Sequence, residues 1–122
     1  MKIGIFDSGL GGLSVWKELD KLLPAVPMVY VADSGRCPYG PKPQEEIVRY
    51  SREITDFLIE EGCSLMVVAC NTATAAAISI LRTEYDLPFV GMEPAIKPAA
   101  QASSSGVIGI LATEGTFRGN HF

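Results

Sequence analysis

Apolar and polar positions along the chain repeat with two periods. Residues 2–6 form a short, nearly continuous apolar run of the kind a buried strand makes. Beyond the glycine-rich stretch 7–12, Leu13, Trp16, Leu19 and Leu23 recur at helical spacing, which predicts a helix that turns Trp16 and its neighbours toward the core. Pro24 and Pro27 break the pattern. Residues 28–32 give a second strand, and residues 33–43, with three prolines and two glycines, a long loop. From Gln44 onward, Ile47, Ser51, Ile54 and Leu58 mark one face of a long amphipathic helix. Its other face carries Glu45, Glu46, Arg49, Arg52, Glu53, Asp56 and Glu60, a solvated charge stripe, and Gly62 ends it.

Residues 65–69 are apolar throughout, as a strand covered on both faces should be, and residues 72–82 read as an alanine-rich helix. Two further strands are predicted over 89–92 and 107–111, separated by a short helix over 94–102 and the polar joint Ser103-Ser104-Ser105-Gly106. The order β-α-β-α-β-α-β-α-β predicts an α/β fold with a mostly parallel sheet and helices on both faces. In that architecture ligands gather beyond the carboxyl ends of the strands.

Composition narrows the chemistry. The 122 residues suit about one domain, and 48% apolar with 20% charged residues places the chain in the soluble globular class. Ten Lys and Arg against fourteen Asp and Glu leave a net charge of −4 with no basic run, so no nucleic-acid partner is expected. The apolar start stops at Asp7, and the longest apolar run, residues 65–70, falls far short of the roughly 20 residues of a membrane span. No membrane association is expected, and the protein is expected in the cytoplasm. Cys37, Cys63 and Cys70 form no Cys-x-x-Cys pair, and the single histidine is His121. A disulfide framework and a metal site are therefore not expected. General-base chemistry falls to carboxylates, thiols or lysines, unless the C-terminal His121 supplies it.

Three loops open at the predicted carboxyl edge, and each holds unusual polar residues. In the first, Gly9, Gly11 and Gly12 let the backbone turn tightly before a helix, where N–H groups favour an anion. The spacing fits neither a P-loop nor the dinucleotide fingerprint, and a plain strand-to-helix turn capped by Asp7 or Ser8 explains it as well. In the third, Cys70 stands immediately before a helix, whose field lowers a thiol pKa and raises its thiolate fraction. Alone, a free cysteine at the end of an apolar strand is more often a small buried hydrophobe. Asn71 and Thr72 tilt the balance, because polar donors beside the thiol suit a bound carboxylate better than a core. Cys63 lies seven residues away, roughly 23 Å along the strand, and reads as structural. In the second loop Cys37 is exposed or packed, and Tyr39-Gly40 either presents a phenol and an N–H to a ligand or forms a proline-rich turn with a packed tyrosine. Glu93 and the stretch Thr113-Glu114-Gly115-Thr116 reach the same cleft or cap helices.

At these loops the sequence resembles glutamate racemase. The matching blocks are Ile3-Gly4-Ile5-Phe6-Asp7-Ser8-Gly9-Leu10-Gly11-Gly12, Arg36-Cys37-Pro38-Tyr39-Gly40, Ala69-Cys70-Asn71-Thr72-Ala73-Thr74, Gly91-Met92-Glu93-Pro94-Ala95 and Ala112-Thr113-Glu114-Gly115-Thr116. They run the length of the chain in order. The resemblance implies a cofactor-independent enzyme that interconverts L- and D-glutamate for peptidoglycan, with two cysteines on opposite sides of the substrate α-carbon, one removing a proton and the other delivering one. On this sequence it implies Cys70 as one catalytic cysteine and Asp7 beside it as a proton-handling or ammonium-contacting group. It implies Ser8, Tyr39, Gly40, Asn71 and Thr72 as substrate contacts, with Glu93 and Thr116 as weaker ones.

The same resemblance implies a two-lobed fold. Residues 1–97 are expected to form the first lobe and residues 98–122 to begin the second, so that this is an N-terminal portion whose second catalytic cysteine, in a Cys-Thr-His type motif, lies outside it. The first lobe of the family is completed by returning C-terminal segments, so an uncovered surface through which copies associate is also expected. Three other readings stay open: an aspartate racemase or a single-cysteine decarboxylase of the same superfamily, a chain in which Cys37 replaces the second thiol, and a non-catalytic carboxylate-binding or self-associating fragment.

Overall fold

A computed structural model describes residues 1–119. The elements run β1 (Ile3–Asp7), α1 (Leu13–Leu22), β2 (Met28–Ala32), a 3-10 turn (Ser34–Arg36), α2 (Gln44–Glu60), β3 (Leu65–Val68), α3 (Asn71–Glu84), β4 (Phe89–Gly91), α4 (Ile96–Ala102) and α5 (Glu114–Arg118). The four strands form one parallel sheet in the order β2-β1-β3-β4. The α/β architecture expected from the alternating pattern is present.

Strand period sets the two faces. Phe6, Met66 and Val68 point to one side, where Ile47, Ile54 and Leu58 of α2 and Ala73, Ala77, Ile78 and Leu81 of α3 close over them. Burying a side chain such as Leu58 completely is worth about 1.5–3 kcal/mol, and this side holds most of the buried apolar volume. Ile3, Ile5 and Val67 point to the other side, joined by Met28 and Tyr30 of β2 and by Val15 and Leu19 of α1. Thr74, buried in α3, ties the layers together. Its hydroxyl donates to the Val68 carbonyl and accepts from the Met92 amide. At the amino end of β3, Gly62 takes φ +88°, a left-handed conformation that turns the chain out of α2 into the strand.

Two expectations are corrected. Trp16 is not core. It is 37% exposed, as are Leu13 and Leu23 to a similar degree. Helix α1 presents Val15 and Leu19 to the sheet, and among the described residues it is the only helix contributing to the cluster on that side, so side chains on its flanks meet solvent. Residues 107–111 form no strand. A strand exists only through a ladder partner, and this segment has none among the described residues. Instead residues 109–113 pass over the start of α3, where they wall a pocket of about 450 Å³ with Asn71, Thr72 and Ile96.

Candidate active site

The carboxyl ends of β1 and β3 are neighbours in the sheet, which brings the loops after them together. Cys70 caps α3. Its sulfur accepts the Ala73 amide at 3.4 Å and lies 3.7 Å from Ser8 Oγ. The thiol is 7% exposed. Burial pushes the Cys70 thiol above its ordinary pKa. The Ala73 amide and the Ser8 hydroxyl and amide pull it back, and the Asp7 charge adds to the rise. The lowered pKa expected from the helix field alone is therefore reversed. The helix end does stabilise the thiolate, but desolvation is the larger effect.

Asp7 is buried beside this thiol and accepts the Gly12 amide at 2.9 Å. That bond ties the glycine loop to Gly12, the residue immediately before α1. Gly12 has no room for a side chain. A Cβ there would stand 2.7 Å from Tyr30 Oη, 2.8 Å from Asp7 Cβ and 3.0 Å from Ala69 Cβ. Tyr30, which carries no motif, donates its hydroxyl to the Gly9 carbonyl at 3.0 Å. Burial, and then the charges of Asp7 and Cys70, push its phenol up to about 12. A tyrosine in an apolar strand reads only as a strand former, so sequence offers no signal for this position.

The loop after β2 folds inward. Tyr39 is buried, its ring tilted against Tyr50, and its hydroxyl donates to Asp33. Burial and that bond raise its pKa. Asp33 in turn accepts Arg36 Nε at 2.8 Å, and Arg36 Nη1 reaches Glu53 Oε2 of α2 at 2.5 Å, with the guanidinium 4.0 Å over the Tyr50 ring. Asp33 and Arg36 thus hold the Tyr39 phenol away from open solvent. Gly40 is buried against Thr113, and its carbonyl accepts Arg118 Nη2 at 3.3 Å. Cys37 is exposed, with its sulfur 3.7 Å from where a Gly9 Cβ would stand.

At the start of α3, Asn71 is exposed and Thr72 buried. Thr72 Oγ1 lies 2.6 Å from Thr113 Oγ1 and 3.2 Å from Thr116 Oγ1. Thr113 caps α5 by accepting the Thr116 amide. Three hydroxyls therefore meet beside the amino end of α3, on the wall of the pocket that Asn71 also lines. The structure brings Asp7, Ser8 and Cys70 together and sets Asn71, Thr72 and Thr116 next to them, while Glu93 follows β4, immediately before Pro94 and Ala95, which line the same pocket as Asn71 and Thr72. Cys63 sits at the opposite end of β3, buried and pushed up in pKa by that burial. His121 lies outside the described residues. Among the described residues no group of three or more His, Cys, Asp or Glu is placed to hold a metal ion.

Comparison with known proteins gives a consistent result. The model of the Asp/Glu/hydantoin racemase family matches residues 3–122. A glutamate racemase of Ectopseudomonas mendocina is 54% identical over 121 residues, covering 98% of this chain and 46% of the relative. One of Herpetosiphon aurantiacus is 52% identical over 120 residues, covering 98% and 47%. Among solved structures, Escherichia coli glutamate racemase in complex with L-glutamate and the activator UDP-MurNAc-ala superposes with a TM-score of 0.90 at 42% identity, over 98% of this chain and 46% of that one. The chain spans about half the length of the curated relatives it matches.

Proposed function

The chain belongs to the Asp/Glu/hydantoin racemase family, and from that premise we propose that it carries one half of a cofactor-independent glutamate racemase site, with Cys70 as the proton-transferring group. The observation that carries the reading is the setting of Cys70: a buried thiol at the start of a 14-residue helix, facing Ser8 and the Ala73 amide with Asp7 beside it.

In the proposed step the Cys70 thiolate takes the α-proton of bound glutamate. The C–H bond breaks, an S–H bond forms, and the electron pair left on the α-carbon delocalises into the α-carboxylate. Returning a proton from sulfur to the same face restores the starting enantiomer; delivery to the opposite face by a second group inverts it. Asp7 is the neighbour that handles the ammonium or its proton. The donors at the start of α3, Asn71 and Thr72, together with Ser8, suit the substrate carboxylates, because N–H and O–H groups at a helix N-terminus favour an anion. Gly40 would contribute through its backbone and Tyr39 by holding that backbone in place through Asp33. The raised pKa of Cys70 implies that the step accelerates with rising pH until the thiol is ionised.

Residues 1–97 act in this reading as the first lobe and residues 98–122 as the start of a second. The exposed apolar positions Leu22, Val90 and Leu111 make self-association a further expectation, checked by sedimentation. No helix among the described residues is long and apolar enough to cross a membrane. A cytoplasmic enzyme supplying D-glutamate for peptidoglycan is the matching setting.

The test is proton NMR of L- and of D-glutamate in D2O with the 122-residue chain, with circular dichroism followed in parallel. The expected result is loss of the α-proton signal of one enantiomer without change of optical activity. Turnover of a malonate-type dicarboxylate with release of carbon dioxide, and no exchange of glutamate, would overturn the assignment in favour of a single-cysteine decarboxylase.

A further inference from the structure

Tyr30 belongs to none of the sequence motifs, yet its hydroxyl sits inside the candidate site. It pairs with Ile5 in the register of β1 and β2 and faces the α1 side of the sheet. Its hydroxyl is bonded to the Gly9 carbonyl at 3.0 Å and lies 2.7 Å from where a Gly12 side chain would begin. One phenol oxygen thus meets the glycine loop at two points, three residues apart. The residues on the strand side of that contact are the ones that face the thiol: Ser8, 3.7 Å from Cys70 Sγ, and Asp7, which accepts the Gly12 amide.

We propose that Tyr30 is a positioning residue for the proton-transfer step: by fixing the Gly9 carbonyl it holds Ser8 where its hydroxyl can donate to the Cys70 thiolate. This rests on the reading of Cys70 as the proton-transferring group. Three glycines within residues 9–12 leave that loop many backbone conformations, and a bond from the rigid sheet to the Gly9–Leu10 peptide, one residue beyond Ser8, removes part of that freedom close to the point where it matters for the thiol. The phenol is suited to the task because it remains a neutral donor over the pH range in which a thiol ionises. The Tyr30 hydroxyl donates to the loop backbone and the Cys70 thiol to Ser8 Oγ, a bond in which Ser8 becomes the donor once the thiol is ionised, so the effect of Tyr30 on Cys70 passes through Ser8. The titratable groups that share the site with the thiol are Asp7 from β1, Tyr30 from β2 and Tyr39 from the following loop.

The experiment is alkylation of the 122-residue chain by iodoacetamide as a function of pH, read cysteine by cysteine by peptide mass spectrometry. The midpoint of the Cys70 profile reports its acidity, and the plateau at high pH reports access to it. Ser8→Ala removes the hydroxyl and should move the Cys70 midpoint upward by about half to one pH unit, the equivalent of a weak bond to a charged group. Tyr30→Phe should move it the same way by a similar amount, and the double variant no further than the larger single shift. Cys63 labelling in the same samples reports whether the fold is intact. If Tyr30→Phe exposes Cys63, the titration is repeated in sucrose, which favours the folded state without replacing the lost bond. An unchanged Cys70 midpoint in Tyr30→Phe with Cys63 protected, or a double variant whose shift is the sum of the two, overturns the proposal. Neither outcome depends on whether glutamate exchanges its α-proton, so a failure here is separable from a failure of the proposed function.

Discussion

The two ends of β3 carry two cysteines that look alike by the simplest measures. Cys63 is 5% exposed and Cys70 7%, both are free thiols, and burial is the leading influence that raises the pKa of each. They differ in what else surrounds them. At the amino end, the modifying charges on Cys63 are those of Lys2 and Glu61, and the adjacent Gly62 turns the chain. At the carboxyl end, Cys70 meets an α3 amide, the Ser8 hydroxyl and amide, and the Asp7 carboxylate. Burial alone does not make a reactive thiol. What distinguishes Cys70 is a set of donors able to stabilise its thiolate, collected there because a parallel sheet brings the loops after adjacent strands to one edge.

The glycines near each thiol offer the harshest way to break this comparison. Gly12→Ala should destabilise the fold by about 2–3 kcal/mol, because its Cβ would press on Asp7 and Ala69 as well as on the Tyr30 hydroxyl. It should also disturb Cys70 alkylation, and denaturant melts and the labelling profile check both. Gly62→Ala should cost about 1 kcal/mol, the strain of an L-residue in the left-handed region, since the nearest atom to its Cβ is Lys2 Cδ at 4.0 Å. Its Cys70 profile should be that of the unaltered chain. Equal effects of the two substitutions on Cys70 would erase the distinction between the ends.

Removing the sulfur at the structural end is expected to be milder still. Cys63→Ala should lower stability by about 1 kcal/mol or less and leave the Cys70 midpoint in place, as measured by melts and alkylation.

Alkaline pH treats the two thiols in the same direction. Each has a folded pKa raised above its unfolded value, so its contribution to stability is fully present below the ordinary thiol pKa of about 8.5 and is lost as pH rises through the higher folded value. Thermal melts from neutral to alkaline pH should show a falling midpoint in that window. Cys63→Ala should remove part of the fall and leave the part due to Cys70. A midpoint that rises with pH would contradict the burial account of both.

Much of the fold is legible in the hydrophobic pattern because strands and helices of a parallel α/β sheet keep their own periods. The bounds of β2 and the start of α2 follow directly from it, as does the apolar run of β3. What the pattern lacks is partnership. Residues 107–111 have the composition of a strand, but a strand requires a ladder neighbour that no local signal announces. Trp16 has helical spacing with Leu19, yet Val15 and Leu19 make the stripe that meets the sheet, because rotation of a helix on its support is decided by the surface beneath it. At the site, Asp7, Ser8 and Cys70 are marked by glycines and by their position after strands. Tyr30 and Asp33 are not, since one reads as a strand former and the other as a turn residue. The acidity of Cys70 is a balance of helix field and desolvation, and only the first of these is visible in a sequence.

The central claim is that Cys70, and not Cys63, exchanges a proton with the α-carbon of glutamate. Its most direct test is the rate of deuterium incorporation at that carbon in D2O, measured by proton NMR for the unaltered chain, Cys63→Ala and Cys70→Ala side by side. The account predicts exchange of one enantiomer at comparable rates in the first two and a loss of at least about 100-fold in the third. Exchange that survives Cys70→Ala, or that disappears equally with Cys63→Ala in a folded chain, would contradict it.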